Sequence, residues 1–390
     1  MKKTLGMILA SAVATAPLLA EEAPAKEQTG PQFSVAGEVE FEANTHFKQV
    51  DPRDGVSDNG NDKKWLHDYS STFNLVFSVK FNEKWSAEAG ISADDANSAP
   101  SFAYDGAFIQ YQMNDNIAIK AGDFTYSEGA FRYYDYDDPG DAAVGMTERN
   151  IRGIELNAYG LVLGAGWGTD DDDCIDVYSD SGEEVGCKSY DVHVAYELAL
   201  GSHTIRPFVN YQSYQQESAN RLRAGVTANL VFGEVVNVQV AYGLLSDIVK
   251  EDEPKMSHAF AIEPEFNIGK LNVKGTAFYA YKADEKDVPT EIEVPEYMFA
   301  YVEPSFAVND QFTVGVQGEY HTMSTNKDDE LSQVFVGPKA YFSPMENLSV
   351  EGYFRACIPV GDDYKKDSGS AYAGQDDVYF GAGATVGFTF

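Results

Sequence analysis

The strongest constraint on the fold is an alternation of apolar and polar residues that begins at residue 32 and recurs to the end of the chain. In residues 32–47, QFSVAGEVEFEANTHF, one face is apolar and the other carries Glu38, Glu40 and Glu42. A period of two is the pattern of a β-strand that separates two environments. The pattern returns about every 20 residues, and short turns alternate with long polar connections, as in proteins that cross a membrane with strands.

Counting these segments predicts one all-β domain, a transmembrane antiparallel up-and-down β-barrel of 18 strands. Sixteen strands is the alternative, if the weakest pair of segments is a loop excursion. Either even count predicts that both termini face the periplasm. Tyrosines at strand ends beside the long loops, and phenylalanines beside the short turns, predict two aromatic belts at the membrane surfaces.

The N-terminus predicts that the chain is exported. Two lysines precede a short apolar run over residues 5–13, and small residues follow, with cleavage expected after Ala20 or alternatively after Ala25. The chain then divides into a signal peptide over residues 1–20, a short periplasmic segment over 21–31, and the barrel over 32–390.

Composition excludes two other classes of protein. The formal net charge of −34 argues against a nucleic-acid partner, because few cations are present to neutralise phosphates. After the N-terminus no apolar run reaches about 18 residues, so a helical membrane protein is not expected. The aromatic share of 13% favours strands over helices.

One long segment interrupts the alternation. Residues 124–150, FTYSEGAFRYYDYDDPGDAAVGMTERN, show neither a strand nor a helix pattern and follow the fifth predicted strand. In a barrel, such a segment is expected to fold into the lumen and narrow it, so it is interpreted as a constriction loop that selects what passes. Its candidate site residues are Arg132, Asp135, Asp137, Asp138, Asp141 and Arg149.

Alternation places charges of both signs on the inner face. The candidate residues of the pore wall are Glu38, Glu40, Lys120, Arg206, Arg221, Arg223, Lys274 and Arg355. A Lys or Arg facing the hydrocarbon midplane would cost about 2–4 kcal/mol, so a polar, water-filled lumen is the cheaper arrangement. These charges either hydrate the lumen or form an eyelet in which acids of the inserted loop face arginines of the wall.

Side chains for other chemistry are scattered. Cys174 and Cys187 lie in one acidic loop, where they either form a disulfide in an oxidising compartment or remain free thiols. No Cys/His metal spacing, His-Glu-x-x-His motif or Gly-x-Ser-x-Gly turn occurs, so neither a metal, a cofactor nor an enzyme activity is predicted. The acidic loops are interpreted as solvated charge rather than a calcium site.

The last strand alternates without a break from residue 377 to Phe390, where the chain stops on an aromatic residue. This pattern resembles the C-terminal strand that the outer-membrane assembly machinery recognises, which makes Phe390 a candidate assembly signal. The likeness implies that this machinery is a partner of the chain.

A second resemblance covers about 50 residues around the long segment. The run Ala107-Phe108-Ile109-Gln110-Tyr111, an Asn-Asp-Asn turn, Lys120-Ala121-Gly122-Asp123-Phe124, the long loop and Arg149-Asn150 resemble the constriction region of bacterial porins. The resemblance implies a channel for passive diffusion of ions and small hydrophilic solutes, surrounded by outer-membrane lipid and assembled as a homotrimer. Arg152 departs from the pattern, because strict alternation turns it toward lipid unless a bulge resets the register.

Two alternative functions remain open. The first is a channel selective for sugars or amino acids, which a path of lumenal aromatic residues would favour; the candidates are Phe278, Phe335, Tyr341, Tyr353 and Tyr379. The second is a structural outer-membrane protein or adhesin that acts through its long loops.

Overall fold

The fold comes from a computed structural model that describes residues 30–47, 65–96, 101–126, 128, 149–168, 189–213, 220–247, 255–281, 296–326, 329–362 and 377–390. The predicted signal peptide, and all but the last two residues of the predicted periplasmic segment, lie outside this part of the chain. No helix among the described residues is long and apolar enough to cross a membrane.

The described residues form strands joined by turns. In chain order the strands are β1 (Gln32–Phe47), β2 (Trp65–Lys80), β3 (Trp85–Ala96), β4 (Ser101–Asn114), β5 (Ile117–Tyr126), β6 (Arg149–Ala158), β7 (Leu161–Gly168), β8 (Tyr190–Tyr196), β9 (Leu198–Leu200), β10 (His203–Ser213), β11 (Arg221–Phe232), β12 (Val236–Asp247), β13 (Lys255–Ile268), β14 (Leu271–Tyr281), β15 (Glu296–Ala307), β16 (Phe312–Asn326), β17 (Asp329–Met345), β18 (Leu348–Pro359) and β19 (Tyr379–Thr389).

These strands close into one antiparallel up-and-down barrel. Apart from β8 and β9, each strand pairs with its neighbour in the chain, and β19 returns to pair with β1. β8 and β9 both pair with β10 and are separated only by Glu197, so together they fill one position in the wall. The barrel therefore has 18 strands, which confirms the predicted fold class and makes the alternative of 16 wrong.

The ends of the chain seal the wall. The amide of Gly37 donates to the carbonyl of Phe390 at 2.9 Å, and the amide of Phe390 donates back at 3.0 Å. A side chain on residue 37 would collide with the Phe390 ring, because a Cβ there would lie 2.7 Å from it. Glycine at this position therefore lets the terminal aromatic residue lie against β1.

The two faces of the wall differ as the alternation predicts. On β15, Met298 and Val302 are exposed on the outer face, whereas Phe299, Tyr301 and Glu303 are buried on the inner face. The same contrast runs around the barrel, where large apolar side chains cover the outside and most buried polar side chains lie inside. An apolar exterior and a polar interior are the arrangement of a barrel that spans a membrane.

A bulge in β4 resets the alternation. Asp105 and Gly106 together oppose Gly90 of β3, and Gly106 has φ of 100°, a conformation that favours glycine. Tyr104 before the bulge and Ile109 after it both point outward although their numbers differ in parity. The bulge turns Asp105 inward, where its carboxylate accepts a hydrogen bond from Ser92 at 2.8 Å.

Strand length varies around the wall. β5, β6 and β7 have 10, 10 and 8 residues, compared with 16 in β2 and 17 in β17. At about 3.3 Å per residue the wall is therefore lower along β5 to β7 than along its longest strands.

Candidate functional site: the barrel lumen

The inner face of the wall carries most of the predicted pore-wall residues. Those with described side chains are Glu38 and Glu40 on β1, Lys120 on β5, Arg206 on β10, Arg223 on β11, Lys274 on β14 and Arg355 on β18. Arg221 begins β11, and its side chain lies outside the described residues, as do Arg132, Asp135, Asp137, Asp138, Asp141, Cys174 and Cys187.

Glu128 shows where the chain goes after β5. Its carboxylate, 6% exposed, accepts hydrogen bonds from the Arg206 guanidinium on β10: Nε donates to both oxygens at 3.0 Å, and Nη2 donates at 2.8 Å. His193 Nε2 of β8 lies 3.4 Å from the same carboxylate. Burial alone would raise the pKa of Glu128, but His193 and Arg206 hold it below its ordinary value.

Small and aromatic residues make room for this contact. The Tyr126 ring stacks on the buried His193 ring with 3.8 Å between centroids. Gly164 of β7 faces the same space, and a Cβ there would overlap the Tyr126 hydroxyl. Tyr126 also packs with Phe124 and Ile151 in a small apolar cluster. These contacts hold the last residues of β5 and Glu128 against the inner wall.

Arg149, predicted at the end of the constriction loop, lies in the wall. It is the first residue of β6, buried, and its Nη2 donates to Asp191 of β8 at 3.1 Å. Below it, Lys120 and Glu155 form an ion pair across β5 and β6 at 3.1 Å. Both cations therefore have acidic neighbours, which limits the free positive charge on this side of the lumen.

A second ionic group lies on the far side of the barrel, centred on Glu303 of β15. This carboxylate is fully buried, and Lys274 Nζ and Lys339 Nζ lie 3.3 and 3.5 Å from it. Tyr341 donates to it at 2.7 Å, and Tyr301 also donates to it. A buried charge is tolerated only when it is paired and hydrogen-bonded, and here four groups satisfy one carboxylate.

A third group also joins one glutamate to an arginine and a histidine, as at Glu128, but all of its residues lie in strands of the wall. Glu319 of β16 is contacted by Arg355 of β18 at 3.3 Å and by His321 at 3.1 Å. The Arg355 guanidinium also lies over the Phe335 ring, 4.7 Å from its centroid. A cation on an aromatic face is fixed in position, so Arg355 is held flat against the wall.

Aromatic side chains form a row across neighbouring strands near the long-loop rim. Phe278, Phe299 and His321 are direct cross-strand partners, and Phe335 and Tyr379 flank Cys357 in the same way. All of these side chains are buried on the inner face. Tyr341 and Tyr353, the other predicted lumenal aromatics, also lie on the inner face but closer to the short-turn rim.

The inner charges are distributed unevenly around the ring. Five acids line adjacent strands of one side: Glu38, Glu40 and Glu42 on β1, Glu88 on β3 and Asp105 on β4. Arg206 and Arg223 lie on β10 and β11, which are diametrically opposite β1 in the ring of strands. An acidic side of the wall therefore lies opposite a side that carries arginines.

Space is open at the short-turn rim on the acidic side. A cavity of about 480 Å³ lies inside the mouth there, with lining residues that include Gln32, Ser34, Ser78, Lys80 and Gln112. The acids on the neighbouring part of β1 are half-buried rather than closed off. The cavity thus lies at the short-turn end of the strands that carry the five acids, but none of these acids lines it.

Arg152 lies on the outer face, as strict alternation predicts. The register between β5 and β6 runs without a shift, so no bulge turns it inward. Its guanidinium is 59% exposed and bonds Asp123 at 2.5 and 3.1 Å, and Tyr104 donates to the same carboxylate at 2.6 Å. Arg152 pairs across the sheet with Trp167, an exposed aromatic residue of the kind that marks the membrane interface.

Two carboxylates of the lumen were missed by the predicted set of site residues. Glu303 stands between the outward-facing Val302 and Pro304, so the alternation carried its signal. Glu128 lies in the segment without periodicity, and no sequence pattern distinguishes it from the other acids there. Within the described residues, no group of three or more His, Cys, Asp or Glu side chains could hold a metal ion.

The closed wall and its two faces define a membrane-spanning β-barrel with the fold of bacterial outer-membrane porins. No protein-family model and no curated protein sequence matches the chain. Several solved structures are similar to the chain. A BenF-like porin from Pseudomonas fluorescens Pf-5 is similar with a TM-score of 0.56 and 7% identity, over 92% of this chain and 98% of that one.

Two further structures show the same likeness. OpdL of Pseudomonas aeruginosa has a TM-score of 0.55 at 9% identity, over 92% of this chain and 98% of that one. A trimer form of OmpT, an outer membrane protein of Vibrio cholerae, has a TM-score of 0.50 at 11% identity, over 93% and 100%. At such low identities these matches establish the fold and nothing finer.

Proposed function

We propose that the protein is an outer-membrane porin, a water-filled channel for passive diffusion of ions and small hydrophilic solutes, and not an enzyme. The observation that carries the proposal is the contrast between the two faces of the closed barrel. Large apolar side chains cover the outside, whereas the inside carries ion pairs, carboxylates and a cavity at one mouth. A polar lumen in an apolar wall conducts water and ions if it is continuous.

Planar bilayers test this proposal directly. Purified, refolded protein should insert and produce stable current steps in KCl. The control is the same protein kept unfolded in urea and added at equal concentration. If many confirmed insertions of the folded barrel carry no current, the channel function is wrong and the structural or adhesin alternative gains support.

We further propose mild selectivity for cations. Five acids lie on the inner face of β1, β3 and β4, whereas Lys120, Arg206 and Lys274 each contact a carboxylate. A lysine or arginine that is paired with a carboxylate repels a passing cation only weakly. The acids should therefore dominate the electrostatic field that an ion meets in the lumen. Selectivity should fade as salt rises, because the Debye length falls from ~10 Å at 0.1 M to ~3 Å at 1 M.

Reversal potentials in a KCl gradient measure this selectivity. The double change Glu38→Gln with Glu40→Gln should move the reversal potential toward that of an unselective pore. The control Glu346→Gln removes a charge from a turn outside the lumen and should leave it unchanged. Replacing Asp135, Asp137 and Asp138 together by Asn tests the separate proposal that loop acids line the narrowest point. A wild-type channel that prefers chloride would contradict the proposed sign.

A channel selective for sugars or amino acids is the second candidate, favoured by Tyr341 and Tyr353, the half-buried aromatic residues of the inner face. Flat sugar faces stack on aromatic rings, and neighbouring hydroxyls and charges bind the sugar edges. Phe299 is too deeply buried to offer its ring face to a solute, so the test is Tyr353→Ala, which should abolish any interruption of the current by a bound sugar. If sugars leave the wild-type current unaffected, the unselective channel is preferred.

We also propose that the protein assembles as a homotrimer in outer-membrane lipid. The supporting observation is the Arg152, Asp123 and Tyr104 group on the outer face, since a neighbouring subunit would shield this ion pair from the lipid. Light scattering of the detergent-solubilised protein should give three chains per particle, and Arg152→Ala with Asp123→Ala should yield smaller particles. If trimers persist in the double variant, this group is not part of the subunit interface.

A further inference from the structure

Lys80 of β2 differs from most of the cations on the inner face. Four of the others each contact a carboxylate at 2.8–3.3 Å: Lys120, Arg206, Lys274 and Arg355. Lys80 is exposed at the last position of β2 and forms no ion pair with any residue that the structure describes. Its ammonium group is therefore available to a solute that enters from the short-turn side.

Lys80 lies in a polar row that crosses the cavity at the short-turn rim. The row consists of direct cross-strand partners on β1 to β4: Gln32, Lys80, Ser86 and Gln110. All four line the cavity of about 480 Å³, and Ser34 and Ser78 line it one step deeper. This volume is typical of pockets that enclose small solutes, and the amide and hydroxyl groups can both donate and accept hydrogen bonds there.

An acidic side chain lies just beyond the cavity, deeper in the lumen. Glu88 of β3 accepts a hydrogen bond at 3.3 Å from Ser78, its direct partner on β2. Lys80 and Glu88 are diagonal neighbours on the inner face, which places their Cα atoms about 7–8 Å apart. No ion pair joins these two described side chains. A positive and a negative group therefore face the lumen side by side without neutralising each other.

Lys120 and Glu155 show the contrasting arrangement. These residues are direct partners across β5 and β6, and their charged groups lie 3.1 Å apart. A solute would have to break this ion pair to bind either side chain. A solute that binds between Lys80 and Glu88 breaks no ion pair, so it gains two charge-assisted contacts without that cost.

The charges around the cavity determine which kind of solute fits it. A simple carboxylate would be attracted by Lys80 but repelled by Glu88 and by the acids of β1. A simple cation would be attracted by Glu88 but repelled by Lys80. A small zwitterion, which carries a carboxylate and an ammonium group, has no net charge and complements both side chains.

We propose that the cavity and Glu88 together form a binding site for α-amino acids and similar small zwitterions, in which Lys80 binds the carboxylate and Glu88 binds the ammonium group. Ser86, Gln32 and Gln110 bind the polar remainder of the solute. The role of the site in permeation rests on the proposed porin function. Binding itself does not, and it can be measured without any current.

Saturation-transfer NMR on the folded protein in lipid nanodiscs measures this binding. The probes are L-glutamine, N-acetyl-L-glutamine, which lacks the ammonium charge, and L-glutaminamide, which lacks the carboxylate. L-glutamine should bind, and both derivatives should bind more weakly, because each loses one of the two charged contacts. If either derivative binds as well as L-glutamine, or if L-glutamine does not bind, the zwitterion site is wrong.

Substitutions locate the site. Lys80→Gln and Glu88→Gln should each weaken the binding of L-glutamine by up to about 5-fold, as expected for a solvent-accessible ion pair, whereas Lys80→Arg should retain it. The controls Lys270→Gln and Glu346→Gln remove charges of the same signs from short turns that do not line the cavity, and they should bind like the wild type. Heat-dependent migration on gels confirms that each variant is folded. Wild-type binding by both Lys80→Gln and Glu88→Gln would overturn the proposal.

Planar bilayers test the role of the site in permeation. L-glutamine added on the short-turn side should interrupt the KCl current of the wild type, and Lys80→Gln should shorten these interruptions. If a protein that binds L-glutamine keeps an unaffected current, the site lies off the path of the ions and its role in permeation is refuted. A wild type that binds L-glutamine but carries no current would refute the porin function and leave the binding site established.

Discussion

The closure of the barrel at Phe390 predicts how much of its stability depends on the last residue. Phe390→Ala removes the ring but keeps the backbone groups that bond Gly37, whereas deletion of Phe390 removes both the ring and the two hydrogen bonds. Phe232 at the end of β11 is the matched control, because it is 55% exposed on the outer face and Phe390 is 52% exposed. The three variants therefore separate the contribution of the Phe390 ring from that of the two backbone hydrogen bonds between Phe390 and Gly37.

The magnitudes follow from these contacts. Truncation of either ring removes a similar lipid-facing surface, so Phe390→Ala and Phe232→Ala should each cost up to about 1.5–3 kcal/mol. Two backbone hydrogen bonds contribute a net ~0.5–1.5 kcal/mol each. Deletion of Phe390 should therefore cost about 1–3 kcal/mol more than Phe390→Ala.

Urea unfolding in lipid vesicles measures these free energies. If the deletion is no more destabilising than Phe390→Ala, the two backbone hydrogen bonds at the barrel closure do not stabilise the fold. A parallel expression experiment addresses assembly: loss of Phe390 should lower the amount of protein in the outer membrane and raise its degradation in the periplasm. Equal surface levels of the deletion and Phe232→Ala would contradict the role of Phe390 as an assembly signal.

Two further changes have defined outcomes. Gly164→Val should displace the Tyr126 ring and cost about 1–3 kcal/mol in urea unfolding, whereas Gly318→Val, where a Cβ has no contact closer than 3.6 Å, should cost clearly less; equal costs would show that the space beside Tyr126 adapts. If Cys174 and Cys187 form a disulfide, alkylation of the unfolded protein should add two more labels after reduction than before it, and equal labelling would establish free thiols.

Alternation in the sequence determined the class of fold and the face of most strand residues. A strand turns its side chains to opposite sides at every step, and a membrane wall has one apolar and one wet side, so the sequence records both. Arg152 illustrates this, because its outward position follows from the alternation around Ile154 alone. Glu303 could have been found in the same way, between Val302 and Pro304.

Only the tertiary structure decided which charged side chains of the inner face contact each other. Arg206 and Glu128 are separated by 78 residues, and their contact depends on the circumference of the closed barrel and on where the short strand β5 ends. The bulge at Gly106 likewise moves Asp105 to the inner face against the simple period. Alternation records the side of the wall but not the partner across it, so the pairing of the lumenal cations was beyond the sequence.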